Sequence, residues 1–161
     1  MRRILTPIVL LTLLFPSFAF GVTIDDLMYR DGLYYKKFSD VPFTGKTTGR
    51  SQTSFKNGKF HGPCVHFHEN GQLDYKGTFK DGKQVGPWVS YHKNGELRSK
   101  GKWKDGKRDG PFVNYHKNGQ LMSKGFYKDD KADGPWVRYK KDGTVDKEYT
   151  GTFKDGKKIS D

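Results

Sequence analysis

Cysteine is nearly absent from this 161-residue chain: Cys64 stands alone, so no internal disulfide can form. Apolar residues are scarce at 33%, against the roughly 45–50% usual in globular chains, and part of that share falls in the first 20 residues. Such a shortfall points toward disorder. Two features oppose it: aromatic residues make up 15%, and the chain repeats too regularly for a solvated tail. Apolar periodicity of the helical kind is also missing, which predicts no helix after the N-terminal segment. No Gly-x-Ser-x-Gly turn, phosphate-binding loop or metalloprotease motif is present. Most aspartates stand at turn positions. The sequence therefore reads as non-enzymatic, with no catalytic residues, no cofactor, no metal site and no small-molecule substrate.

What is present is a period. Gly-Pro pairs recur at Gly62, Gly86, Gly110 and Gly134, each 24 residues after the last, the mark of an array of supersecondary units. Four copies follow one another, 62–85, 86–109, 110–133 and 134–159, behind a half-repeat at 45–61. Each copy holds two turns. The first is Asn70-Gly71, Asn94-Gly95, Asn118-Gly119 or Asp142-Gly143, and the second is Asp81-Gly82, Asp105-Gly106, Asp129-Asp130 or Asp155-Gly156. Asn-Gly and Asp-Gly between β-rich runs signal hairpins. The expectation is all-β: an elongated single-sheet meander of hairpins over 45–161. Residues 22–44, with Asp31-Gly32 between Tyr29 and Tyr34, read as a capping hairpin that covers the open edge of the array.

If Asn94 and Gly95 form a two-residue loop, Lys93 faces Glu96 and Trp88 faces Gly101. The same register places Phe112 opposite Gly125 and Cys64 opposite Gly77, with each ring covering its facing glycine. The last copy has two extra residues, and a four-residue loop there restores Trp136 opposite Gly151. Alternation then sorts the faces. Trp88, Leu97, Gly101, Trp103, Phe112, Leu121, Tyr127, Trp136 and Phe153 form the core face. Val89, Tyr91, Val113, Tyr115, Val137 and Tyr139 lie on the other, beside Arg98, Lys100, Lys124 and Met122. Gly-Pro fits a bend or a strand start.

The first 21 residues read as a signal peptide. Arg2 and Arg3 precede an apolar run from Ile4 to Phe20, and Ala19-Phe20-Gly21 has the form of a cleavage site. Cleavage after Gly21 leaves Val22 first and exports the chain to the periplasm or beyond. A retained membrane anchor is the alternative, although the run is short for a span of about 20 residues. The formal charge is +12. Without Arg2 and Arg3 it is +10, from 28 basic and 18 acidic residues. A basic exported protein meets anionic lipid or lipopolysaccharide before nucleic acid, so no nucleic-acid partner is expected. Cys64 occupies the seat of Trp88, Phe112 and Trp136, which predicts a packed, unreactive thiol.

Gly-Pro-Trp-Val-x-Tyr-x-x-Asn-Gly, followed by Lys-Gly-x-Trp-x-Asp-Gly-Lys, resembles the MORN repeat in its bacterial variant form. The likeness covers about residues 45–159, and Tyr29-Arg30-Asp31-Gly32-Leu33-Tyr34-Tyr35 with Pro42-Phe43-Thr44-Gly45 is similar to the lead-in of such proteins. It implies a long twisted sheet of stacked hairpins. Bacterial relatives are often labelled YwqK-family antitoxins of toxin–antitoxin systems. Other members are linked to scaffolding, dimerisation and anionic phospholipid.

Three recurring residue sets invite a functional reading. His68, His92 and His116 are equivalent, but two strands of about 4.8 Å separate each from the next, too far to share one zinc ion at about 2 Å from each nitrogen. His61, His66 and His68 lie closer together, with no acidic or thiolate ligand to complete a site. Lysine rows at Lys80, Lys104, Lys128 and Lys154, and at Lys83, Lys107, Lys131 and Lys157, form either a solvated edge or a cationic strip for a polyanion or membrane. Tyr91, Tyr115 and Tyr139 with Arg98, Lys100 and Lys124 make the more specific surface, since tyrosine and arginine carry interface energy; second-face packing explains the tyrosines equally well. The leading expectation is an exported scaffold that binds a protein in the cell envelope through that surface. The alternatives are an anionic lipid or lipopolysaccharide surface, and an antitoxin-like partnership with a toxin.

Overall fold

The computed structural model describes residues 21–161; the signal-peptide reading lies outside them apart from Gly21. Strands β1 (Leu27–Arg30) and β2 (Leu33–Lys36) form a separate two-stranded sheet. The remaining strands build one twelve-stranded antiparallel sheet: β3 (Gly45–Lys46), β4 (Ser51–Lys56), β5 (Lys59–Phe67), β6 (Leu73–Lys80), β7 (Lys83–Tyr91), β8 (Leu97–Lys104), β9 (Lys107–Tyr115), β10 (Leu121–Lys128), β11 (Lys131–Ala132), β12 (Gly134–Arg138), β13 (Gly151–Lys154) and β14 (Lys157–Ser160). Apart from β11 and β12, which both pair with β10, neighbours in sequence are neighbours in the sheet, a meander that does not close on itself. Two three-residue 3-10 turns, Ile24–Asp26 and Lys147–Tyr149, are the only helical pieces among the described residues.

The second turns of the copies, beginning at Asp81, Asp105, Asp129 and Asp155, are two-residue loops with positive φ at both positions. Asp105 and Gly106 both have positive φ, 51° and 85°, and Lys104 pairs with Lys107. Asp130, with φ 67°, takes the glycine seat in its copy, because aspartate tolerates the left-handed region better than most residues.

The Asn-Gly turns differ from expectation. His92 N–H donates to Glu96 O at 2.8 Å, Gly95 N–H donates to His92 O at 2.9 Å, and of Asn94 and Gly95 only the glycine has positive φ. This is a three-residue loop closed by a left-handed glycine and a bulge. Lys93 does not face Glu96. Beyond the bulge the expected register returns: Trp88 pairs with Gly101, Phe112 with Gly125, Cys64 with Gly77 and Trp136 with Gly151.

The bulge also moves side chains between faces. Tyr91 pairs with Leu97, then Ser90 with Ser99, so Leu97 joins the Tyr91 face and Arg98 leaves it. Arg98 Nε donates to Ser90 Oγ at 3.1 Å, on the Trp88 face. Leu121 likewise pairs with Tyr115, and Met122 shares a groove with Tyr127, Trp136 and Phe153. One extra residue reverses the parity of what precedes it.

Two further corrections follow from the pairing, and the place of Gly-Pro is settled copy by copy. The ring over each glycine comes from the following repeat: a methyl on Gly77, Gly101 or Gly125 would run into Trp88, Phe112 or Trp136 respectively. In the last copy the loop has the ordinary form, with Gly143 N–H to Lys140 O at 3.0 Å. The two extra residues are absorbed after the Tyr139–Val145 bridge, around the 147–149 turn. Gly-Pro lies inside β5, β7 and β9, where the pairing with the preceding strand shifts, as between Gly101 and Trp103. In these three copies it is the bend of the two alternatives, whereas Gly134 opens β12 and is a strand start.

Full burial is confined to a few places. Leu27, Phe43 and Phe55 form a cluster at the N-terminal end, with Val22, Ile24, Tyr34 and Phe60 packed against it. From there an aromatic ladder runs along one face, Phe55–Phe60–Phe79–Trp88–Trp103, with neighbouring centroids 4.8–6.4 Å apart. It resumes at Phe112–Tyr127–Trp136. Beyond the N-terminal cluster, no second layer covers this face among the described residues.

Cys64 is 2% exposed, and burial pushes its thiol up to about 11. Since the thiolate is the reactive form, a thiol reagent at pH 8 should label Cys64 only at the rate of unfolding, while denaturant should make labelling immediate. Rapid labelling of the folded protein would contradict this packing.

Candidate interaction surface

The face opposite the aromatic ladder carries five of the six expected site residues, Tyr91, Tyr115, Tyr139, Lys100 and Lys124. Arg98 is the exception. Each repeat places a valine at the same strand position, and the pairing continues between repeats as well as within them. Val65 pairs with Lys76, Lys76 with Val89, Val89 with Lys100, Lys100 with Val113, Val113 with Lys124, and Lys124 with Val137. A stripe of alternating valine and lysine therefore crosses seven strands, about 29 Å at 4.8 Å per strand. The valines are half-buried and the lysines exposed. Neither Lys100 nor Lys124 makes an ion pair among the described residues. Val65 and Lys76, which the sequence reading did not single out, face each other within one hairpin as Val89 and Lys100 do, and the 24-residue offset would have found them.

The tyrosine row runs alongside. Tyr91 and Tyr115 end β7 and β9 opposite Leu97 and Leu121, and Tyr139 bridges to Val145. Their backbone carbonyls accept hydrogen bonds from the preceding repeat: His68 Nε2 to Tyr91 O at 3.1 Å, His92 Nε2 to Tyr115 O at 3.0 Å, His116 Nε2 to Tyr139 O at 3.2 Å. Asn70 Nδ2 donates to Lys93 O at 2.7 Å and Asn94 Nδ2 to Lys117 O at 2.8 Å. Successive loops are thus tied together by side chains. The histidines lie in these loops rather than in strands, and they hold the tyrosine row in position. No group of three or more His, Cys, Asp or Glu among the described residues is placed to hold a metal ion.

The aromatic face handles charge differently. Arg98 lies 3.5 Å from Asp74, Arg108 lies 2.7 Å from Asp130, and Arg138 lies 3.7 Å from Asp146. Arg108 also stacks 3.9 Å above the Tyr127 ring. Hydrogen bonds from the Arg108 side chain and backbone hold the Asp130 carboxyl below its ordinary range. A carboxylate with a depressed folded pKa contributes stability above its unfolded pKa and loses that contribution as pH falls through the folded value. The stability of the 110–133 repeat should therefore be constant above pH ~5 and decline below pH ~4. Arg108→Ala should flatten that decline in an acid titration followed by circular dichroism; an unchanged decline would contradict the assignment.

The model of the MORN repeat variant family matches residues 60–81, 84–105 and 108–129, and that of the MORN repeat matches 100–111 and 149–158. The chain is a MORN repeat variant protein. The three variant matches keep the 24-residue offset, and their equivalent residues take equivalent places in the sheet. No curated protein matches the chain. Among solved structures, one chain of the GtfA/B complex bound to UDP and GlcNAc is similar at 15% identity, with a TM-score of 0.25. The alignment covers 87% of this MORN chain and 29% of the other, so the MORN chain spans under a third of that structure's length. MORN repeats are commonly modules for interaction with proteins or membranes, and their open all-β scaffold is typically non-catalytic.

Proposed function

We propose that this MORN protein is an exported, non-enzymatic scaffold that presents its valine–tyrosine–lysine face to a protein partner in the cell envelope. The observation that carries the reading is the stripe from Val65 to Val137, in which lysines without acidic partners alternate with half-buried valines beside a fixed tyrosine row. Apolar contact supplies affinity in such an arrangement, and the lysines supply orientation and encounter rate. Rigid repeats reduce the ordering cost of binding.

A second reading rests on the same lysines: attraction to an anionic lipid or lipopolysaccharide surface, worth about 1 kcal/mol per lysine at the membrane. Salt and a tyrosine substitution separate the two. Binding to envelope protein should persist at physiological salt and weaken tenfold or more in Tyr115→Ala, measured by crosslinking from the purified full chain with wild type as reference. Cosedimentation with phosphatidylglycerol vesicles that vanishes near physiological salt and is indifferent to Tyr115→Ala would replace the protein reading with the lipid one. An antitoxin-like role requires a cytoplasmic chain. N-terminal sequencing of a periplasmic product that begins at Val22 would remove it.

A further inference from the structure

The aromatic face, which the proposed function does not use, contains a groove of about 280 Å3 across β6–β9. Phe79, Trp88, Trp103 and Phe112 form its floor, and Gln84 and Arg98 contribute polar groups. Three properties define what fits it. First, Arg98 has Asp74 at 3.5 Å, so the groove is close to neutral and offers a polyanion little net attraction, in contrast to the lysine face. Second, it lies on the broad face of the sheet, away from any strand edge. An extended peptide would find no ladder there, and its buried amides would go unpaired.

Third, its polar groups are spread along the aromatic floor: Gln84, Ser90 and Arg98. A sugar ring combines what these features ask for: an apolar C–H face for the aromatic floor, and a rim of neutral hydroxyls that accept from Arg98 and Gln84 and donate to the glutamine carbonyl. We infer that this groove binds a neutral polysaccharide through one or two of its rings.

All three tryptophans of the chain, Trp88, Trp103 and Trp136, belong to this face, so their fluorescence reports on it. The full-length protein is titrated with cellohexaose, xylohexaose, maltohexaose and chitohexaose, with a heparin hexasaccharide as the anionic control. At least one neutral sugar should shift or quench the emission with an affinity unchanged between low and physiological salt. Arg98→Ala and Gln84→Ala should each weaken that binding about tenfold while keeping the circular dichroism of the wild type. Lys93→Ala, in an exposed loop, should leave it unchanged. The inference is overturned if no neutral sugar binds up to millimolar concentration, if only heparin binds and does so in a salt-sensitive way, or if binding survives both groove substitutions. Failure here would leave the proposal for the lysine face standing, since Tyr115 and Lys124 lie on the other side of the sheet.

Discussion

Gly101→Ala is expected to destabilise the protein by about 1–3 kcal/mol, the range for overfilling a packed site. The backbone at Gly101 is ordinary, with no positive φ. On conformational grounds alone, alanine there would be neutral or mildly stabilising. Packing reverses the sign. The added methyl would occupy the space of the Phe112 ring, and that ring stands edge-on to Tyr127 at 5.4 Å, so it cannot move aside without opening the next repeat. Gly82 is the useful comparison: nothing lies within 4 Å of its missing side chain, but its φ is +83°, and alanine there costs about 1 kcal/mol through backbone strain. Urea denaturation of both variants distinguishes the mechanisms. The Gly101 loss should be partly recovered by a second substitution, Phe112→Leu, and the Gly82 loss should not.

Phe55→Ala should have the larger effect, about 3–5 kcal/mol. Phe55 is 3% exposed and has the rings of Tyr34, Phe43 and Phe60 at 5.3, 5.4 and 4.8 Å. It joins the β1–β2 hairpin to the first strands of the array. Repeat arrays lose stability by the interface, so the loss should concentrate at the N-terminal end. Limited proteolysis of Phe55→Ala should cut within 22–56 first and leave a resistant fragment over 62–133. Uniform cleavage along the chain would mean that the array unfolds as a single unit.

The period, the pairing of rings with glycines and the Asp-Gly turns could all be read from residue order. The Asn-Gly turns could not. Asn-Gly suits both a two-residue loop and a three-residue loop ending in a left-handed glycine. What accompanies the second in all four copies is the side-chain oxygen of the turn residue accepting from the backbone N–H two residues on, as Asn94 Oδ1 does from Glu96 at 3.3 Å. That one-residue difference moved Arg98 and Met122 to the aromatic face and Leu97 and Leu121 to the other. The candidate surface was legible where parity held, at Val89, Lys100, Val113 and Lys124, and misread beside the bulge, at Arg98. Hairpin register likewise assigned the Trp88 ring to Gly101, whereas the Phe112 ring leans over it, because each glycine has a strand on either side. Gly-Pro marked a bend, but its place inside the strand depends on the pairing shift with the preceding repeat.

The central claim is that consecutive repeats interlock, each glycine lying beneath the ring of the repeat that follows it. Nuclear Overhauser contacts from the Gly101 α-protons test it most directly. The structure predicts strong contacts to the Phe112 ring and upfield-shifted α-proton resonances, with the same pattern from Gly77 to Trp88 and from Gly125 to Trp136. Dominant contacts from Gly101 to Trp88, or none to any ring, would contradict the account.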